Sequence, residues 1–170
     1  MDKLLLFCVE TNKRANTDYI YISETLNNYY SYDNHKVSIK PVYLETKTKY
    51  NSKEVQKTIR EWKKAFSGTT IVIYCIDTDS IDTKYEDSKM FEQIQKYCDD
   101  NKYELAWFCH DVEEVYLGKQ VSPKEKVSEA AKFRNKHGIV KINEHKLRCK
   151  NIKRGESNFM TIMDKYLERK

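Results

Sequence analysis

Short apolar runs and helix-patterned stretches take turns along this chain, and that alternation limits what it can fold into more than any other feature. Lys3–Val9 is a continuous apolar run bounded by polar residues, the pattern of a buried strand. Tyr19, Ile22, Leu26, Tyr29 and Tyr30 then share one helical face. Val37, Ile39 and residues 42–44 make a second strand. Val55, Ile59, Trp62 and Phe66 follow as an amphipathic helix that stops at Gly68. Residues 69–76 are β-branched and nearly all apolar, the strongest strand signal of the sequence. Met90, Phe91, Ile94, Tyr97 and Cys98 return to helical spacing, and residues 103–109 read as a fourth strand. Strands and helices in this order predict an α/β fold, with a mostly parallel central sheet flanked by helices. A shorter helical region is expected from about Pro123, and a last helix from Ser157, an N-cap candidate, through Leu167.

The 170 residues are 39% hydrophobic and 34% charged, enough apolar material for one sizeable core under a heavily solvated surface. Four glycines and two prolines leave no flexible linker. Residues 1–120 are expected to form the α/β core, and residues 121–170 a basic, mainly helical C-terminal extension of the same domain. No apolar run approaches the roughly 20 residues of a membrane helix, and residues 4–9 are too short for a signal sequence. A soluble, cytoplasmic protein with no membrane partner is the expectation. The five cysteines are odd in number and form no CxxC pair, so they read as reduced bystanders rather than disulfide or zinc ligands.

Net charge is +5, but its placement says more. Nine Lys or Arg between Lys132 and Arg154 face a single acid, Glu144, so this segment carries +8 and the rest of the chain −3. Such an asymmetry suits a nucleic-acid or nucleotide partner, with Lys146, Arg148 and Lys150 as candidate phosphate contacts. A solvated lysine-rich surface accounts for it equally well.

In an open parallel sheet, ligands bind beyond the carboxyl ends of the strands. The first strand ends in Glu10, the third in Asp77-Thr78-Asp79 with Asp82 behind, and the fourth in His110-Asp111 followed by Glu113 and Glu114. If the first and third strands are neighbours, Glu10, Asp77 and Asp79 converge, repel one another and raise one another's pKa. A hard divalent cation, Mg²⁺ or Mn²⁺, relieves that conflict. Solvated turn acids with no shared ligand are the plainer alternative.

A strand ending in Glu, followed two β-α units later by a strand ending in Asp-x-Asp, resembles the Toprim domain. The resemblance implies that Glu10, Asp77 and Asp79 hold Mg²⁺, with Glu10 also moving a proton. The chain is more similar still to RloB-like proteins, small Toprim-related chains found with restriction and abortive-infection loci. Val9-Glu10-Thr11 and Thr17-Asp18-Tyr19 look like their opening, and residues 105–108 followed by Val112-Glu113 look like their later strand and helix start. The similarity covers roughly residues 3–135. Thr11 stands where the family has glycine, and Cys109-His110-Asp111 where it has Asn/Ser-Pro.

Other candidates stand beside these. His110 reads as a proton donor or phosphate contact, or else as a loop histidine bonded to Asp111. Glu113 is a candidate outer acid, whereas Glu114 is expected to face solvent. Lys13 and Arg14 follow Glu10 in a loop suited to clamping phosphate oxygens. Tyr29 and Tyr30 are expected in the core, with Tyr32 a possible base-stacking residue. No P-loop, GxGxxG or GxSxG motif occurs, which removes the usual support for kinase, nucleotide-cofactor and serine-hydrolase chemistry. The expected function is an Mg²⁺-dependent, nuclease-like phosphodiester-processing protein of bacterial or phage defence. The alternative is a non-catalytic module on a degenerate Toprim-like fold that binds nucleic acid or a defence-system protein. A glycosyltransferase reading of Asp77-Thr78-Asp79 leaves Glu10 unexplained.

Overall fold

A computed structural model describes residues 2–170. Its central sheet is built from β1 (Lys3–Val9), β3 (Val37–Tyr43), β4 (Thr69–Asp77), β5 (Glu104–Cys109) and the short β6 (Glu156–Ser157), in the order β3-β1-β4-β5-β6. The first four strands are mutually parallel, and only β6 runs antiparallel, pairing Ser157 with Phe108. The fold is therefore the α/β, mostly parallel arrangement expected from the alternation. A separate two-stranded ladder joins β2 (Tyr30–Ser31) to β7 (Glu168–Arg169).

The central strands β1 and β4 are apolar on both faces because helices cover both. Leu5, Phe7 and Val9 of β1 and Ile73 and Cys75 of β4 pack into one core, with α1 (Thr17–Tyr29), α4 (Val112–Leu117) and α5 (Lys126–Asn135). Leu4, Leu6 and Cys8, with Val72, Tyr74 and Ile76, pack into the other, against α2 (Lys53–Ala65) and α3 (Tyr85–Asn101). The period of two thus assigns every other residue of β1 and β4 to opposite layers. Ser52 caps α2, its hydroxyl accepting from the Val55 amide at 3.3 Å. Gly68 is required where β4 begins, since a Cβ there would lie 2.3 Å from the Asp2 carbonyl oxygen.

The last predicted helix is shorter than its periodicity suggested. Ser157 is drawn into β6 by pairing with Phe108, and α6 covers only Phe159–Met163. Residues 164–166 form a turn where the final helical turns were expected, and Leu167 is buried just before β7, which pairs with β2. Phe159, Met160, Ile162 and Met163 complete the first core, so tertiary pairing overrode local helical spacing. Among the described residues no helix is long and apolar enough to cross a membrane.

Candidate active site

Chain order reverses between β1 and β4: the sheet grows from β1 to β3 on one side and from β4 to β5 on the other. Such a switch point opens a crevice beyond the strand ends. Glu10 and Asp77 stand at the ends of these two strands, and the Glu10 carboxylate accepts the Asp77 amide proton at 2.7 Å. Continuing the strand alternation sends Glu10 toward the layer of α2 and Asp77 toward that of α1 and α4. Asp77 Oδ1 accepts from the Val112 amide at 3.0 Å, and Asp111 caps the same helix by accepting from the Glu114 amide at 2.7 Å.

Asp18, in the first turn of α1, and Glu113, in α4, are both buried on the Asp77 side. Glu113 is fully buried; one carboxylate oxygen takes a 2.9 Å bond from Lys126 and the other has no hydrogen-bond partner among the described residues. Four carboxyls thus crowd together with two lysines at the margins. Burial pushes Glu10 up to about 8 against the attraction of Lys47, with Asp18 and Asp79 adding repulsion. Burial and then Glu113 push Asp18 up to about 7. Burial, followed by Glu10, Asp18 and Glu113, holds Asp77 well above the usual carboxylate range. Burial also raises Glu113, while Lys126 opposes that rise.

Asp79 lies apart from this cluster in orientation. Its backbone is left-handed (φ 49°), its amide donates to the His110 carbonyl at 2.8 Å, and its carboxylate takes the Lys47 ammonium. Lys47 also donates to the Asp77 carbonyl at 3.0 Å. As they stand, no three His, Cys, Asp or Glu side chains are grouped to hold a metal ion among the described residues. The donor set itself suits a hard cation, being all oxygen. Lys47 pairs with the Asp79 carboxylate and, among the described residues, with neither the Glu10 nor the Asp77 carboxylate, so the donors suit a divalent ion in kind but are not gathered around one point.

The remaining candidates divide. The His110 ring bonds Asp82 at 3.1 Å and lies 3.7 Å from Glu114, rather than bonding Asp111. Glu114 is buried instead of facing solvent, because Arg154 pairs with it at 2.5 Å. Lys13 and Arg14 are exposed in the turn after Glu10 and form no ion pair among the described residues. Tyr30 is buried as expected, and Tyr29 and Tyr32 pack against the first core. Lys146 lines a concavity of about 400 Å³ with Lys141, Tyr116 and Phe133. Arg148 and Lys150 border another, with His145 and Asp164, so the three candidate phosphate contacts do not share one groove. Arg148 is paired with Asp164 at 3.1 Å.

Sequence reasoning missed Lys47 and Lys126 and gave Asp18 no role. Asp18 sits in the Thr17-Asp18-Tyr19 stretch but in the first turn of a helix, where acids are common for dipole reasons alone. Lys47 lies in a Lys/Thr-rich turn with no motif to mark it. No family model, no curated protein and no solved structure matches the chain.

Proposed function

We propose that this chain processes phosphodiesters with the help of Mg²⁺ or Mn²⁺, acting on nucleic acid or a nucleotide, as its resemblance to Toprim and RloB-like proteins implies. A role in cytoplasmic defence, with a partner from the same system, belongs to the same reading; the five free cysteines accord with a reducing compartment. The observation that carries the reading is the Glu10 carboxylate on the Asp77 amide at the switch point of the sheet. Glu10, Asp77 and Asp79 would hold the ion, which when bound polarises a phosphoryl oxygen and neutralises developing charge.

The chain's own residues do the rest. Glu10 would either share the ion or move a proton; burial raises its carboxyl in the metal-free chain, which suits the second role. The Val112 amide fixes one Asp77 oxygen and leaves the other for ligand. Glu113 and His110 are positioning residues in this scheme: Glu113 holds Lys126 beside the acids, and His110 ties the Asp79 turn to Asp82 and Glu114.

The test is cleavage of labelled RNA and DNA with and without Mn²⁺. Glu10→Gln and Asp77→Asn are each expected to lower the rate by about 10²–10⁴-fold. Undiminished cleavage by both variants refutes the assignment. The non-catalytic alternative is favoured by one observation, the pairing of Asp79 with Lys47. Its signature is binding of nucleic acid with no metal-dependent products.

A further inference from the structure

Away from the strand ends, a concavity of about 400 Å³ lies between the end of α4, α5 and the two 3-10 turns that follow, Gly138–Lys141 and Glu144–Leu147. Tyr116 and Phe133 line it and are almost wholly buried, so they form its floor. The half-buried Leu117 and Ile142 form its walls. This shape is held from below. The Tyr29 hydroxyl donates to the Ile142 carbonyl at 3.4 Å, which ties the second wall to α1. A Cβ on Gly138 would lie 2.5 Å from the Phe133 ring, so glycine is what lets the first turn close on the aromatic floor.

The polar groups around it are unanswered. Lys141 and Lys146 are exposed at its rim, and among the described residues their ammonium groups form no ion pair or hydrogen bond. No acid lines the concavity, and the acids nearest in the chain are engaged elsewhere. Glu144 pairs with Arg169 at 2.8 Å, and Glu129 pairs with Lys119 and Lys132, each at 2.8 Å. Gly118, in the left-handed conformation (φ 69°), ends α4 by bonding the Glu114 carbonyl. The carbonyls of Val115, Tyr116 and Leu117 are then left without a hydrogen bond among the described residues, as the last carbonyls of a helix are unless something caps them. Asn143 spends its side-chain oxygen on the His145 amide at 3.1 Å, which leaves its NH₂ group for a ligand.

We propose that this concavity binds one nucleotide, its base between Leu117 and Ile142 and its phosphate at Lys141 and Lys146. A bare anion would use the lysines and leave the apolar walls idle. An acyl chain would cover the walls and bury the carbonyls at the end of α4 without donors, which is costly. A nucleobase has both an apolar face and amino donors, and its phosphate supplies the charge that the two lysines lack. The volume falls within the roughly 300–1,000 Å³ of small-molecule sites. A free nucleotide and an unstacked nucleotide of a single strand present the same chemistry. The inference rests on the reading above for the class of ligand, and not on Glu10, Asp77 or Asp79.

The experiment is titration of the isotope-labelled full chain with adenosine monophosphate, without divalent metal, followed at the backbone amides by NMR. Shifts are expected around the concavity, at Leu117, Gly118, Ile142 and Asn143. Lys141→Gln/Lys146→Gln should bind about tenfold more weakly or worse. Lys124→Gln/Arg134→Gln removes the same charge from exposed residues outside the lining and should stay within about twofold of wild type. Equal weakening by both pairs, or shifts spread along the whole basic stretch, overturns the site in favour of diffuse charge. Inorganic phosphate that binds as tightly as adenosine monophosphate overturns the nucleotide, and so does an oligoglutamate that moves these amides where the nucleotide does not. No shift at all overturns the inference outright. A single-stranded oligoadenylate separates the two sources: displacement of adenosine monophosphate marks a strand nucleotide and its retention a free one, and either supports the site. Because no metal is present, failure here leaves metal-dependent cleavage at the strand ends untouched, and failure of cleavage leaves this site untouched.

Discussion

The acidic rim of the sheet and the basic stretch from Lys132 to Arg154 carry opposite charge, and they handle it in opposite ways. At the rim, Glu10, Asp18, Asp77 and Glu113 are gathered by four different elements and at least partly withdrawn from water, so each raises its neighbours' proton affinity. In the basic stretch the charges point outward, and four of the nine are neutralised one by one. Lys132 pairs with Glu129, Arg148 with Asp164, Lys153 with Glu156 and Arg154 with Glu114. The larger formal charge is thus spread over exposed and singly paired groups, while the smaller one is concentrated in carboxyls that perturb one another. Convergence of a few buried groups perturbs chemistry, whereas a count along the sequence overstates what solvent and local partners leave behind.

The comparison breaks most sharply at Lys126. Among the described residues it supplies the only direct ion pair of the fully buried Glu113, and removing it leaves a carboxylate already short of partners. Lys126→Met is expected to cost about 2–3 kcal/mol in urea denaturation, below the full penalty for a buried pair because Lys126 is itself partly exposed. The double change Lys126→Met/Glu113→Gln should recover most of that loss. A single variant as stable as the wild type would mean that the rim tolerates uncompensated charge, and the contrast would fail.

Titration sharpens the same contrast. The Asp18 carboxyl is raised by burial, then by Glu113, to about 7, against about 3.8 in the unfolded chain, so the native state holds its proton more tightly. Between these values the native state binds more protons than the unfolded one, and stability falls as pH rises. The contribution is fully present below pH 3.8 and gone above about 7. Asp18→Asn removes the titration, so relative to wild type it should gain on the order of 1–3 kcal/mol across that window, with the gain complete at pH 8. Chemical denaturation at pH 5 and pH 8 measures it; a gain independent of pH contradicts the coupling.

Much of the frame and little of the rim's detail was legible in the sequence. The apolar runs at 3–9 and 69–76 were long enough to name their strands, whereas adjacency of Glu10 to Asp77 hung on those two strands being neighbours, which the pairing of β1 with β4 shows. Lys47, Lys126 and Asp18 were not legible as partners, because they arrive from a turn, α5 and α1 through tertiary packing that leaves no spacing signature. Glu114 illustrates the same limit: three residues after the strand-end Asp111 it reads as exposed, and its ion pair with Arg154, forty positions away, leaves no trace in the local sequence. Arg154→Ala should accordingly lower Tm by about 1–3 °C by leaving Glu114 unpaired. A scan showing no change would return Glu114 to the solvent-facing role.

The smallest effect on stability is expected where the basic stretch is free. Arg134, Lys136, Lys141, Lys146 and Lys150 are exposed and form no ion pair among the described residues. Substitution there removes no packing and strands no buried partner, so Lys146→Ala/Lys150→Ala should leave Tm within about 1 °C of wild type. If these lysines meet phosphates, the same double variant should flatten the log–log salt dependence of nucleic-acid affinity by roughly 1.4–1.8. Arg148→Ala should flatten it less than either lysine does, because Asp164 already neutralises that guanidinium in the free protein. Fluorescence anisotropy at three salt concentrations separates the cases. A slope that responds to Arg148 as strongly as to Lys146 would show that the ion pair opens on binding, and that the outward charges act together after all.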